Sequence, residues 1–249
     1  MPAALERSLG WTVLAIVFAG VWVYALYRED RKRPEPFWMV LLAMGGGIGA
    51  FFLADRVESR LLPFGVNTDA SLLERARLAF LIAGPVEELA KFLAILILIW
   101  PWTHFDETVD GIVYAAAAGA GFALWENFAF MSAEGGSVIL ARGPIATGAH
   151  VLFSVIWGGA LGFAGHLKRW PERLLHVGVG LVLASVVHGA FNFITFAAGQ
   201  EITVWHARAY QVALVAVSAL FLRWRIRHAL TLFPFRYRKG SATQDLGGA

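Results

Sequence analysis

The sequence predicts an all-α fold, a polytopic membrane bundle of about seven transmembrane helices, on three observations. Of its 249 residues, 58% are hydrophobic and only 16% are charged, against roughly 25% charged in a soluble domain. The apolar residues gather in runs long enough to cross ~30 Å of hydrocarbon, which takes about 20 helical residues. The basic residues fall mostly between those runs. A water-soluble core could not absorb this much apolar surface, because roughly a third of the chain's surface stays wet at this size. The absence of cysteine excludes disulfide scaffolds, thiolate catalysis and Cys-ligated metal sites. Nothing in the composition calls for nucleic acid.

In order, the spans are expected at about 8–27, 37–54, 78–101, 109–131, 144–165, 174–198 and 204–222. The first is longer than a signal-peptide core and is followed by Arg28, Arg31, Lys32 and Arg33 instead of a small-residue cleavage site, so it reads as a retained span. The second holds Gly45-Gly46-Gly47 and the third Pro85, which buried membrane helices tolerate and which here mark close packing or bends. Between them, Ser71 to Arg77 reads as a short amphipathic helix on the membrane surface. Asp110 opens the fourth span, where a negative charge suits a helix amino terminus, and no further role is expected of it. The last span stops where Arg223 begins a basic stretch. Residues 1–239 form a single integral-membrane domain with its motif-bearing core at 78–198, and the polar, Gly-rich 240–249 is expected to be disordered.

Thirteen Lys and Arg residues fall in the segments that would be cytoplasmic with the amino terminus outside, and seven on the other side, with Lys91 inside a span. This bias predicts an outside amino terminus and a cytoplasmic carboxyl terminus. Tryptophans such as Trp11, Trp38, Trp100, Trp102, Trp170 and Trp205 lie near span ends, as an interfacial belt does. His104, His166, His176, His206 and His228 also lie near ends and read as interfacial.

The remaining ionisable groups lie inside spans, where a charge costs at least ~2.5–3.5 kcal/mol and is usually functional. The third span carries Glu87, Glu88 and Lys91, the fourth Glu126 and Asn127, the fifth His150, and the sixth His188 and Asn192. Counted from the expected outer ends, they share a depth of about 7–15 Å at 1.5 Å per residue. Lys91 is four residues from Glu87 and three from Glu88, so it can pair with either on one helix face. His188 and Asn192, and His150 and Ser154, repeat the spacing of four.

Two histidines with several carboxylates are the ligands and base of a zinc hydrolase, in which three His and Glu or Asp ligands leave one position for water. A metal-free version is also open, with paired glutamates and a histidine activating water while the other histidine and Asn192 stabilise the oxyanion. There is no HExxH, so several helices must supply the site. Spacing does not separate the two mechanisms.

The segment Gly84-Pro85-Val86-Glu87-Glu88-Leu89-Ala90-Lys91 fits EExxK, and Phe122-Ala123-Leu124-Trp125-Glu126-Asn127 fits FxxxEN. With the stretch from Phe105 to Tyr114, Gly148-Ala149-His150, Trp157-Gly158 and His188-Gly189-Ala190-Phe191-Asn192, these resemble the ordered motifs of the PrsW family of intramembrane proteases. The likeness covers about residues 78 to 195. The CAAX prenyl endopeptidases are more distantly similar, but Lys91 stands one position before their arginine and Glu126 where their FxxxH places histidine, which favours PrsW. The resemblance implies that Glu87, Glu88, Glu126, His150 and His188 matter most. It also implies a bacterial-type cytoplasmic membrane and a substrate such as a membrane-bound anti-sigma factor, cut on its extracytoplasmic side in regulated proteolysis.

The expected function is therefore an endopeptidase acting on a membrane-anchored protein, with Glu88 or Glu87 as general base. His150, His188 and one of Glu126 or Glu87 are expected to be zinc ligands or their metal-free equivalents. Lys91 would tune the glutamate pair, Asn127 would belong to the site, and Asn192 would orient the scissile carbonyl. A proton- or cation-coupled transporter is the alternative, because intramembrane Glu, Lys and His also build proton relays. A non-catalytic scaffold explains poorly why six ionisable side chains are buried together.

Overall fold

Seven consecutive residues of the fourth span, Ala115 to Gly121, carry no side chain larger than a methyl group, and this decides the architecture. Small residues let membrane helices approach to backbone contact, where van der Waals packing holds them. The helix they occupy becomes the hub. The computed structural model describes residues 3–28, 34–61, 70–102 and 104–232. Its helices are α1 (Ala3–Tyr27), α2 (Phe37–Leu61), α3 (Leu72–Arg77), a π-helical stretch (Leu78–Ala83), α4 (Gly84–Leu98), α5 (Thr108–Glu134), α6 (Val138–Ala164), α7 (Trp170–Ala197) and α8 (Val204–Ala229). Hub helix α5 touches α1, α2, α4, α6 and α8, and every residue from Thr108 to Ala123 is buried. A Cβ on Gly121 would lie 2.0 Å from the Met44 carbonyl oxygen of α2, and one on Gly111 2.2 Å from that of Gly158 on α6. No larger residue fits either crossing without parting the helices.

Among the described residues, six helices are each long and apolar enough to cross a membrane. The third expected span is composite. Helices α3 and α4 flank the π-helical stretch in one continuous run, 72–98, and Pro85 sits in the first turn of α4. Proline has no N–H to donate and crowds the preceding turn, and the wider π turn just before it absorbs the mismatch.

Most of the expected boundaries move outward, while the third span ends early, at Leu98 in place of 101. Helix α2 runs on to Leu61, α5 to Glu134 and α8 to Ala229, while α6 starts at Val138 and α7 at Trp170. Charged residues at membrane-helix ends continue the helix by snorkelling, whereas a hydropathy window stops at the first of them. Ser71 to Arg77 is not a separate surface helix. Ser71 caps α3 in a reciprocal capping box with Glu74, and α3 leads straight into the third span. The expected disorder of 240–249 lies outside the described residues, as do Arg31, Lys32 and Arg33.

Most aromatic side chains near helix ends are exposed, including Trp38, Trp102, Trp170 and Trp205. Among the described tryptophans, Trp157 alone is fully buried. It points into the site.

Candidate active site

Glycines bring the site helices together. A Cβ on Gly84 would stand 2.6 Å from the Ser185 carbonyl oxygen, and one on Gly189 2.9 Å from that of Ala79, so α7 lies against the start of α4. Gly119 lets α5 meet α6 at the His150 carbonyl, where a Cβ would be 2.6 Å away. These contacts converge Glu87, Glu88 and Lys91 from α4, Glu126 and Asn127 from α5, His150 from α6 and His188 from α7. Glu88 and Lys91 are completely buried, and Glu87, Asn127, His150 and His188 nearly so.

Glu87, Glu126 and His150 lie further from their helix ends than the expected spans indicate, while His188 lies one residue nearer to its own. Glu126 stands 8 residues from the end of α5 at Glu134, His150 12 from Val138, Glu87 15 from Leu72 and His188 9 from Ala197. The longer helices account for the difference.

Glu88 is saturated. Its Oε1 accepts from Lys91 Nζ at 2.9 Å and from His188 Nδ1 at 2.8 Å, and its Oε2 from Ser154 Oγ at 3.1 Å and Trp157 Nε1 at 2.8 Å. A carboxylate with both oxygens occupied is a poor base and a good orienting group. Because a carboxylate only accepts, His188 carries its hydrogen on Nδ1 and turns Nε2 toward Glu87, 3.5 Å from Oε2.

His150 is held the opposite way round. Its Nε2 donates to Glu126 Oε2 at 2.8 Å, and its Nδ1 lies 2.9 Å from Lys91 Nζ and 3.8 Å from Glu87 Oε2. An ammonium has no lone pair to offer, so Nδ1 is the acceptor there. Each imidazole thus has one nitrogen fixed by a carboxylate and the other turned toward Glu87.

Glu87 Oε2 is the unsatisfied centre. It is buried without a hydrogen-bond partner, and Lys91 Nζ is 3.6 Å away. Its ligand atom and those of His150 and His188 all lie within 4.8 Å of one another. Two imidazoles and a carboxylate, each imidazole backed by a second carboxylate, fit a zinc site, where such outer partners fix the ring and its tautomer. Glu126, one of the two candidate third ligands, is instead engaged by His150 and by Arg142 Nη2 at 2.5 Å.

Four participants receive no role from the sequence, although the spacing of Ser154 from His150 and the Trp157-Gly158 motif mark two of them. Ser154 and Trp157 follow His150 by four and seven residues, a helical spacing that puts all three on one face. Glu58 and Arg142 fall just outside the expected spans 37–54 and 144–165. Glu58 continues the buried stripe Ala50, Ala54 of α2, its Oε1 is buried without a hydrogen-bond partner, and its carboxylate lies within electrostatic range of Glu126, Lys91 and Glu87. Four carboxylates, Glu58, Glu87, Glu88 and Glu126, therefore surround two cations, Lys91 and Arg142. The formal excess is two negative charges. Asn192 is half-buried one turn beyond His188 and, among the described residues, is not hydrogen-bonded to the cluster.

A polar pocket of imidazoles and carboxylates enclosed by apolar helices defines a membrane-embedded protein of the hydrolase type. Comparison with known proteins names the group. The sequence profile of the PrsW family intramembrane metalloproteases matches residues 35–222. Protease PrsW of Bacillus subtilis (strain 168) is 30% identical over 187 residues, covering 73% of this chain and 83% of the relative. The proteins of the same name from Geobacillus kaustophilus and Clostridioides difficile are each 29% identical, over 69% and 73% of this chain and 73% and 77% of their own lengths. The chain belongs to the PrsW family of intramembrane proteases. None of these comparisons supports a transporter, and no solved structure matches the chain.

Proposed function

We propose that the chain hydrolyses a peptide bond of a membrane-anchored protein near the extracytoplasmic face of a bacterial-type cytoplasmic membrane, at a zinc site held by Glu87, His150 and His188. The observation that carries the reading is the buried, partnerless Oε2 of Glu87, faced by one nitrogen of each imidazole. Two lone-pair atoms 3.5 Å apart without a hydrogen bond between them form a place that a cation would fill. The local excess of two negative charges suits a divalent one.

A zinc ion bound there would supply a water activated near neutral pH and a Lewis acid for the scissile carbonyl. Glu88 keeps the His188 proton on Nδ1, so that Nε2 remains a ligand. Lys91 holds Glu88 in place and neutralises it. Trp157 and Ser154 close the remaining Glu88 lone pairs, and the apolar wall of α5 excludes bulk water. In this reading Asn192, one turn beyond His188, would orient the substrate carbonyl as it enters. The basic bias of the alternate segments supports entry from the extracytoplasmic side. The family resemblance supports a membrane-bound anti-sigma factor as the substrate class.

One observation favours a second reading. Lys91 already presents its ammonium to His150 Nδ1 at 2.9 Å, and that cation could stand in for a metal. Glu87 would then activate water directly, with His188 and Asn192 at the oxyanion. Metal analysis of the purified wild type beside His150→Ala and His188→Ala decides between them, together with cleavage of a single-span test protein. The zinc reading expects a bound equivalent in the wild type, lost in both variants along with cleavage. Cleavage by a metal-free wild type in the presence of chelator would replace it with the glutamate reading.

A further inference from the structure

We propose that Arg142 is a positioning residue that holds Glu126 against His150 and outside the set of groups facing Glu87. This rests on the hydrolytic site described above and adds a part to it. Arg142 enters from the first third of α6. Its Nη2 bonds Glu126 Oε2 at 2.5 Å, and its Nε donates to Asn127 Oδ1 at 3.3 Å. The guanidinium lies on the face of Phe130, 3.5 Å from the ring centroid. Asn127 in turn donates from Nδ2 to Thr147 Oγ1 at 3.1 Å. The adjacent pair Glu126-Asn127 is thereby clamped between Arg142 and Thr147, both on the helix that carries His150.

The shared oxygen matters most. Glu126 Oε2 receives both Arg142 and His150 Nε2, so the arginine determines where the His150 proton acceptor sits. A lone carboxylate at this position has strong reasons to move. Glu58 and Glu87 repel it, and a cation bound at Glu87 would attract it inward as a further ligand. Arg142 opposes both displacements through a planar, two-armed contact that lysine cannot copy, because an ammonium is a point charge without a rigid fork. Cation–π contact with Phe130 keeps the guanidinium seated where solvent is scarce.

The test compares wild type, Arg142→Ala, Arg142→Lys and Glu126→Gln, each purified as the full chain and loaded with cobalt(II) as the metal probe. A second measurement follows cleavage of the same single-span test protein. Arg142→Ala should change the cobalt visible spectrum as Glu126 joins the coordination, lower kcat by roughly 10- to 100-fold as loss of an outer-shell partner does, and leave KM nearly unchanged. Guanidinium added to Arg142→Ala should restore part of the rate. Arg142→Lys should recover less than guanidinium does, and in the Glu126→Gln background Arg142→Ala should have little further effect.

An Arg142→Ala enzyme with the wild-type spectrum and kcat overturns the proposal. So does a loss that guanidinium does not restore and that adds to Glu126→Gln, because that pattern belongs to a purely structural staple. If the wild type binds no cobalt yet cleaves, the zinc reading fails, and Arg142 is judged on kcat, guanidinium rescue and the double variant. A wild type that neither binds cobalt nor cleaves overturns the hydrolytic reading and this inference with it.

Discussion

Among the described residues, two sets of three ligand-type groups come within 4.8 Å of one another: Glu87, His150 and His188, and, toward the other end of α5, Glu35, Asp106 and Asp110. All six are buried. The second set is explained by its place at a helix amino terminus. Asp110 Oδ2 accepts from the backbone N–H of Asp106 at 2.8 Å and of Glu107 at 2.6 Å, completing a capping box with Glu107, and Tyr114 donates its hydroxyl to Glu35. Such acceptors gather because the first turn of a helix leaves N–H groups to satisfy. The first set has no comparable reason to exist. His150 and His188 lie well inside α6 and α7, away from the helix ends and their orphan N–H groups, and their ring nitrogens are sorted by carboxylates. Burial and proximity alone therefore do not mark a site. What distinguishes the first set is imidazoles with an assigned tautomer facing the carboxylate, since an unsatisfied buried oxygen is found in both sets, on Glu87 Oε2 and on Asp110 Oδ1.

That contrast is open to direct attack. The largest effect is expected from Glu87→Gln and His188→Ala, which should abolish cleavage of a single-span substrate while leaving expression and Tm near wild type. Asp110→Asn should retain cleavage in the same assay, and its loss there would erase the distinction. Next comes Glu88→Gln. By weakening the hold on His188 it should reduce zinc affinity about 10- to 100-fold, measured by competition with a chromogenic chelator. Smaller again is Asp110→Ala, which should lower unfolding stability by about 1–2 kcal/mol through the lost cap, seen as a reduced Tm in detergent with zinc content unchanged. Smallest is Arg169→Ala. Its pairing with Glu172 is exposed at 3.4 Å, and such pairs contribute under about 1 kcal/mol. A large thermal shift there would show that these helix ends are held by surface ion pairs after all.

Much of the fold can be read from the sequence because lipid imposes a simple rule on length and polarity. All seven apolar runs are helical, and six are uninterrupted. The π-helical stretch escaped because hydropathy carries no information on how many residues make a turn, although Pro85 marked the place. The inward-facing charges of the site could be read from their rarity. Glu58 and Arg142 could not, since a charge near the end of an apolar run looks the same whether it meets solvent or folds back over a cavity. Which face each helix presents decides that, and α2 and α6 show it only once Gly47 and Gly158 are seen against α5. The division of labour among the glutamates also lay beyond spacing. Adjacent Glu87 and Glu88 differ in role because Trp157 and Ser154 reach only one of them.

The π-helical stretch just before Pro85 makes the site a matter of phase. A π turn fits one more residue into a turn than an α-helix does, and each residue of an α-helix turns its side chain by about 100°. Everything after the stretch, including Glu87, Glu88 and Lys91, is therefore rotated as a block relative to α3. Deleting one residue between Leu78 and Ala83 would let the run close into ordinary helix with every chemical group still present. The carboxylates would then face lipid or α2 instead of His188. In this chain a change of count can remove the site as completely as a change of residue.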